Sequence, residues 1–147
     1  MTKMQKQYTK DCEDFKIAQK DVMKGLLCAV SYSDIWHRGK IIEELSTGLV
    51  RVCYIDFGTV EDVKLEKRVR YLTEEYIQLP AMARRGVLSH VQPKEGIWSE
   101  ESIEVFRENV IKKKLEVKIF KKNSCDSSYF IAMKTATAGN EKTLIAN

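Results

Sequence analysis

The sequence predicts a mainly β protein of the α+β class, in which a small antiparallel β-barrel is followed by a second β-rich lobe. Four short β-type runs follow one another between residues 26 and 63, and two more alternating runs flank a polar turn near residue 125. The chain has 147 residues, of which 44% are hydrophobic and 31% charged, as is typical of a globular domain. This length allows one hydrophobic core, or one core with a smaller one attached.

The N-terminal segment favours a helix. Residues 3–24 are polar, and Tyr8, Cys12 and Phe15 recur at helical spacing before Gly25, which is a suitable stop. We therefore expect one amphipathic helix over residues 3–24.

The pattern then changes to β-type runs separated by turn residues, among them Ser33-Asp34 and Phe57-Gly58-Thr59. The predicted strands are Leu26 to Tyr32, Trp36 to Glu43, Leu49 to Ile55 and Val60 to Val63. Four short antiparallel strands in so few residues indicate a small barrel, with Trp36 in its core.

A short connector and a second group of elements follow. Thr73-Glu74-Glu75 has the form of a capped helix start, and Pro80 ends that helix. Ser99 is placed to cap a further helix that carries Ile103 and Phe106 on one face. The remaining predicted strands are Arg85 to Val91, Leu115 to Phe120 and Tyr129 to Lys134, with Thr143 to Ala146 as a candidate edge strand.

Composition argues against several classes of function. The net charge of +4 comes from 25 basic and 21 acidic residues spread along the chain, which does not by itself indicate nucleic acid. Four widely spaced cysteines and two histidines indicate neither a zinc site nor a disulfide framework. No nucleophile–base set or metal-ligand spacing is evident, so we expect no catalytic residues, metal or cofactor. With no membrane-spanning run and no secretory signal, the chain is expected to be intracellular.

The run Tyr54-Ile55-Asp56-Phe57-Gly58, at the end of the third predicted strand, is the most informative feature. Two aromatic rings flank a carboxylate at a turn, and aromatic faces beside an acid suit a cation. The same rings also suit packing, and Asp56 also suits capping of the turn through its own backbone. A cation site and a packed turn are both open at this point.

Further spaced residues extend this run into a pattern. Cys28-Ala29, Trp36-x-Arg38 and Val52-x-Tyr54-Ile55-Asp56-Phe57-Gly58 resemble the core signature of Tudor domains. The run Leu79 to Leu88, followed by Val91-x-Pro93, is similar to the downstream half of extended Tudor domains. In that family a Tudor barrel is joined by a linker helix to a staphylococcal-nuclease-like OB module.

The resemblance implies a division of the chain into four parts. Residues 1–25 would form an N-terminal helix that packs on the nuclease-like lobe, and residues 26–72 the Tudor barrel. Residues 73–82 would form the linker helix, and residues 83–147 the nuclease-like OB lobe.

The family's function follows from the chemistry of its ligand. Extended Tudor domains bind arginine-rich segments of partner proteins, with a methylated guanidinium stacked in a cage of about four aromatic side chains. The resemblance implies a non-enzymatic adaptor whose partner is the arginine-rich N-terminal tail of a PIWI-clade Argonaute in germline piRNA silencing. It also implies a cytoplasmic location, in the perinuclear germ granules called nuage, without a membrane partner.

Carried over position by position, the family's cage is incomplete in this sequence. The aromatics of the third strand and the turn fall on Tyr54 and Phe57. The position after the barrel tryptophan, usually a tyrosine, is His37, which is equally compatible with a solvent-facing side chain. The asparagine that commonly follows the turn glycine is replaced by Thr59.

The aromatic of the first strand has two candidate positions. It aligns with Ser31 if gaps are forbidden, and with Tyr32 if the loop before Trp36 differs by one residue.

These departures change the expected ligand. A set of carboxylates near the same strand ends would pair with unmodified arginine, which retains all five donors: Asp34, Asp56, Glu61 and Asp62. We therefore expect a binder that is insensitive to methylation or prefers unmethylated arginine. The alternatives are a symmetric dimethylarginine reader with Tyr32 in a shifted cage, and single-stranded RNA binding through the OB-like lobe.

Overall fold

The structure, a computed structural model, describes residues 3–10, 13–93, 96–124 and 128–135. The chain divides into two compact units, and the boundary between them follows Ala83. Among the described residues, no helix combines the length and apolar character needed to cross a membrane.

The first unit is built on one antiparallel sheet of five strands that curls into a barrel. The strands are β1 (Leu27–Tyr32), β2 (Ile35–Ser46), β3 (Leu49–Tyr54), β4 (Val60–Lys64) and β5 (Val69–Tyr71). Their order is β4-β3-β2-β1-β5, so β4 and β5 are its two edges. A single helical turn, α2 (Leu65–Arg68), connects these two edge strands. The four predicted strands are confirmed, and β5 was not predicted.

The barrel core follows the two-residue period of its strands. Val50, Val52 and Tyr54 of β3 point inward, where they meet Val30 of β1 and Ile41 of β2. Burial of the Cys28 thiol in this core raises its pKa to about 12, so this cysteine acts as a small hydrophobic residue.

A second buried cluster lies on the other face of β1 and β2. Trp36 is buried there together with Ala29 and Leu72, and not in the barrel core where it was predicted. The guanidinium of Arg70 lies 5.9 Å from the centre of the Trp36 ring and is also buried. Strand β5 was missed in the sequence because its arginine suggested a solvent-exposed segment.

The N-terminal segment differs from the single helix expected over residues 3–24. It contains α1 (Lys3–Lys10) and a short 3₁₀ turn (Gln19–Asp21). Residues 13–15 form a turn, the carbonyl of Phe15 accepts a hydrogen bond from the amide of Tyr71, and Lys16 forms an isolated β-bridge with Arg70.

Helix α1 packs against the barrel. Its Tyr8 is fully buried, with its ring 5.5 Å from that of Trp36, and its hydroxyl donates to the carbonyl of Tyr71 over 2.8 Å. Gln5 both accepts from the amide of Trp36 and donates to its carbonyl. The helix therefore belongs to the first unit, and its packing on the nuclease-like lobe stays a prediction.

The linker helix expected over residues 73–82 is one turn long, α3 (Glu74–Ile77). Pro80 disfavours helical geometry at the preceding residue. The carbonyls after the first turn are also used elsewhere, because the guanidinium of Arg38 binds those of Leu79 and Pro80.

The described part of the second unit contains a sheet of three strands and one helix. Its elements are β6 (Gly86–Leu88), α4 (Glu100–Val110), β7 (Leu115–Lys122) and β8 (Tyr129–Thr135). Strand β8 lies in the centre, antiparallel to β7 and parallel to β6. The predicted hairpin is confirmed, and Ser99 caps α4 by accepting a hydrogen bond from the amide of Ser102. The edge strand expected at 143–146 lies outside the described residues.

Candidate functional site

The candidate site lies at one mouth of the barrel. A buried ion pair between Arg38 and Asp56 fixes the turn that borders it. Arg38 of β2 donates to both carboxylate oxygens of Asp56, and its Nε–Oδ2 distance is 2.9 Å. Its other hydrogen bonds go to three backbone carbonyls, those of Tyr76, Leu79 and Pro80. Asp56 also accepts from the amide of Met82 over 3.1 Å.

Asp56 was expected to contact the peptide, but the structure gives it a different role. Its side chain is 11% exposed and both of its oxygens are occupied within the first unit. The Arg38 guanidinium holds the pKa of Asp56 below its usual range. Asp56 therefore fixes the turn after β3 and the segment at residues 76–82.

The turn after β3 is tight and presents one ring to solvent. The carbonyl of Tyr54 accepts from the amides of Phe57 and Gly58, and the amide of Tyr54 donates to the carbonyl of Thr59. Gly58 has φ +82°, a conformation that favours glycine. Phe57 is left 64% exposed at the tip of this turn.

The turn between β1 and β2 resolves the choice between Ser31 and Tyr32. Ser33 and Asp34 both have positive φ, which gives a two-residue hairpin turn and pairs Tyr32 with Ile35. Because side chains alternate along β1, Tyr32 shares the inward face of Val30, and Ser31 does not. Tyr32 is therefore the first-strand ring of the site.

Four rings meet at this mouth. The centre of the His37 ring lies 6.0 Å from that of Tyr54 and 5.3 Å from that of Phe57, and the ring of Tyr32 lies 6.3 Å from that of Tyr54. The interplanar angles in these pairs are 79°, 88° and 80°, so each ring stands nearly perpendicular to its neighbour. They surround a cavity of about 530 Å³, lined by Tyr32, His37, Tyr54, Phe57, Thr59, Val60 and Glu61.

The exposure of these rings distinguishes the site from ordinary core packing. Tyr54 is 5% exposed and forms the floor, whereas Tyr32 is 55% exposed. Rings that served only the core would not leave this much of their surface in water. Val60, which is exposed and lines the cavity, was not predicted because a valine in a strand pattern carries no functional signal.

The acids of the site differ in their partners. Both oxygens of Glu61 accept hydrogen bonds from Arg68, at 2.7 and 2.8 Å. Asp62 points away from the cavity and pairs with Arg51. Asp34 lies in the turn beside Tyr32 and has no ion pair among the described residues.

The electrostatics of the floor follow from these contacts. The hydrogen bonds from Arg68 lower the pKa of Glu61, which is therefore ionised at neutral pH. The Tyr54 hydroxyl donates to Glu61 over 2.7 Å, and burial followed by this hydrogen bond raises the pKa of Tyr54. A neutral phenol therefore faces the cavity. Within the described residues, no group of three His, Cys, Asp or Glu side chains is arranged to hold a metal ion.

Four rings thus line a cavity at the mouth of a five-stranded barrel, whereas the sequence predicted four strands and an incomplete cage. A family model described as Tudor domain matches residues 1–90. The chain belongs to the Tudor domain family. The Tudor domain-containing protein 7B of Danio rerio is 39% identical over 94 residues, which cover 64% of this chain and 8% of that protein. The chain thus spans less than a tenth of the length of this relative.

Solved structures extend the likeness to both units. The extended Tudor domain of human TDRD1, in complex with a symmetrically dimethylated peptide, has a TM-score of 0.80 and 26% identity, and the match covers 94% of this chain and 70% of that one. Domain TD3 of mouse TDRD1, in complex with a MILI peptide containing dimethylarginine, has a TM-score of 0.80 and 21% identity, covering 95% and 70%. The fold is therefore that of an extended Tudor domain, and the chain is a non-enzymatic interaction module.

Proposed function

We propose that this Tudor domain binds an arginine side chain of a partner peptide in the cavity formed by Tyr32, His37, Tyr54 and Phe57. The observation that carries the proposal is the set of nearly perpendicular rings around one cavity, of which Tyr32 and Phe57 are more than half exposed. A guanidinium is flat and weakly hydrated, so it gains about 0.5–2 kcal/mol from each favourable aromatic face. The human domain in complex with a dimethylated peptide supports this ligand class.

The same geometry favours methylated over unmodified arginine. The expectation of methylation-insensitive binding depended on two missing rings and on free carboxylates. Tyr32 and His37 supply two rings, and Asp56, Glu61 and Asp62 are already engaged by arginines of this chain. Of the four predicted carboxylates, Asp34 alone has no ion pair among the described residues. Methylation removes donors but keeps the charge, so a guanidinium held by rings alone loses little when it is methylated.

Two features limit this preference. His37 provides a smaller ring than tyrosine and repels a cation whenever it is protonated. Thr59 lines the cavity where an amide side chain would hydrogen-bond the guanidinium, but a hydroxyl has less reach. We expect a preference for symmetric dimethylarginine of about tenfold or less, equivalent to about 1.4 kcal/mol.

We infer that the partner is the arginine-rich N-terminal tail of a PIWI-clade Argonaute, and that the domain acts in cytoplasmic germ granules. The family resemblance supports this, as does the MILI peptide bound by the similar mouse domain. An extended tail with several arginines also suits a cavity that accepts one side chain at a time.

The decisive measurement is a calorimetric titration of one Arg/Gly-rich peptide in unmodified and symmetrically dimethylated forms. We expect the dimethylated peptide to bind more tightly, and Phe57→Ala to weaken binding of both by about two- to thirtyfold through loss of one aromatic face. Phe120→Ala is the matched control, because Phe120 is also an exposed phenylalanine but belongs to the second unit.

Unchanged affinity after Phe57→Ala would place the peptide elsewhere. Equal affinities of the wild-type domain for both peptides would restore the hypothesis of methylation-insensitive binding. RNA binding that falls steeply with added salt, in the absence of peptide binding, would favour the OB-like lobe as a nucleic-acid site instead.

A further inference from the structure

Glu61 is the one carboxylate among the residues that line the aromatic cavity. An unmodified arginine has five N–H donors in a planar fork that fits a carboxylate bidentately. A free Glu61 would therefore favour unmodified arginine specifically. The partners of Glu61 decide whether a ligand can reach this carboxylate.

Arg68, the last residue of α2, engages both carboxylate oxygens of Glu61. Its Nη1 donates to Oε1 over 2.7 Å and its Nη2 to Oε2 over 2.8 Å, which is the bidentate arrangement that a ligand guanidinium would require. The Tyr54 hydroxyl fills a further acceptor position on Oε2. A ligand guanidinium would have to displace this ion pair before it could bind the carboxylate bidentately.

Arg68 is itself held from a third side. Its Nε donates to the backbone carbonyl of Ser31 in β1 over 2.7 Å, and its Nη2 also lies 3.2 Å from the Tyr54 hydroxyl. The side chains of Arg68 and Glu61 are 31% and 33% exposed, so this network borders the cavity instead of lying free on the surface. Arginine at this position reaches β1, β3 and β4 at once.

We propose that Arg68 determines the specificity of the cavity for methylated arginine by occupying Glu61 and fixing the hydroxyl of Tyr54. The inference rests on the proposed function. Arg68 acts as an internal substitute for an unmodified arginine: it satisfies the carboxylate, so the ligand is recognised by aromatic faces alone. It is a positioning residue, because its effect on the ligand passes through Glu61 and Tyr54.

The test measures the ratio of the affinities for dimethylated and unmodified peptide. If Arg68 had only a structural role, its substitution would weaken both peptides alike and leave this ratio unchanged. In Arg68→Gln, Glu61 becomes accessible, and the ratio is expected to fall by about tenfold, chiefly because the unmodified peptide binds more tightly. The double variant Arg68→Gln with Glu61→Gln removes the accessible charge and is expected to return the ratio to its wild-type value.

Arg51→Gln is the matched control. Arg51 forms the same kind of bidentate pair with Asp62 on neighbouring strands, but neither residue lines the cavity. Its removal is expected to leave the ratio unchanged.

Glu61→Gln alone provides a second test if Arg68→Gln does not fold. It leaves Arg68 as an uncompensated cation near the cavity, so both peptides are expected to weaken together. A selective loss of the unmodified peptide would mean that the ligand already uses Glu61 in the wild-type domain, and would overturn the proposal.

The outcomes separate the two levels of inference. If the wild-type domain binds neither peptide, the proposed function fails and the role of Arg68 fails with it. If the wild-type domain binds and folded Arg68→Gln keeps the wild-type ratio, only the role of Arg68 is wrong.

Discussion

At the scale of single residues, His37 is the wall of the cavity whose chemistry differs most from that of the others. It lies between Tyr54 and Phe57 and meets both rings edge-on. Its backbone is fixed by pairing with Val30 of β1, so the ring position is set by the sheet. A different ring at residue 37 would therefore occupy the same wall.

His37→Tyr is expected to tighten binding of a dimethylated peptide by about two- to fivefold, because a phenol offers a larger aromatic face. Calorimetric titration of both proteins with the same peptide is the measurement. His37→Ala is the opposite control and should weaken binding. Weaker binding by His37→Tyr, or no effect of His37→Ala, would show that this ring does not contact the ligand.

At the scale of elements, two acid–arginine pairs of the same chemistry serve different purposes. The Arg38–Asp56 pair joins β2 to the turn after β3 and is buried, with side chains 8% and 11% exposed. The Arg51–Asp62 pair joins β3 to β4 on the outside of the barrel. Removing one partner of a buried pair leaves an uncompensated charge, whereas the remaining charge of an exposed pair is solvated by water.

Asp56→Ala is expected to lower the free energy of unfolding by about 3–5 kcal/mol, because Arg38 remains buried without its carboxylate. Asp62→Ala is the matched control and is expected to change stability little. Urea denaturation of both variants provides the comparison. Similar stabilities of the two variants would contradict the anchoring role of the buried pair.

The strand periods predicted most of the first unit, and the exceptions have identifiable physical causes. Strands β1 to β4 are visible in the sequence because turn residues punctuate their alternating side chains. The short β5 was missed because buried Arg70, which stacks on Trp36, has the appearance of a surface charge. The N-terminal helix was predicted too long because Tyr8 and Phe15 suit helical spacing, although Phe15 lies in a turn outside α1.

The candidate site was predictable in its rings but not in its acids. Alternation from Val30 along β1 was sufficient to choose Tyr32 over Ser31, although the aligned pattern without gaps favoured Ser31. Whether a carboxylate faces a ligand or an arginine of its own chain depends on contacts distant in sequence. Asp56 and Arg38 are 18 positions apart, so no local signal identified their pairing.

At the scale of the whole molecule, the buried apolar residues are distributed unequally. Every hydrophobic side chain that is buried in the described residues lies between Tyr8 and Leu72, in the first unit. In the described part of the second unit, Ser128 is the buried residue, and Ile119 and Phe120 of β7 remain exposed. Local stability follows the number of buried apolar contacts around an element.

Backbone amides of β7 are therefore expected to exchange with deuterium faster than those of β3 under native conditions. Hydrogen exchange followed by mass spectrometry of peptides covering Leu115–Lys122 and Leu49–Tyr54 provides the test. Equal protection of the two strands would contradict the unequal distribution of stability.

The reach of Arg38 has a consequence for how the length of this domain can vary. Its guanidinium binds the carbonyls of Tyr76, Leu79 and Pro80, which lie 38, 41 and 42 positions further along the chain. The length of the segment between Leu72 and Pro80 is therefore fixed by these hydrogen bonds. One inserted or deleted residue there would move three acceptors away from a buried donor group. The turn between β2 and β3 is held by fewer contacts of this kind, because the amide of Gly48 donates to the side chain of Gln19 and its carbonyl accepts from the amide of Leu65. Natural variation in length is therefore not expected between the barrel and Pro80.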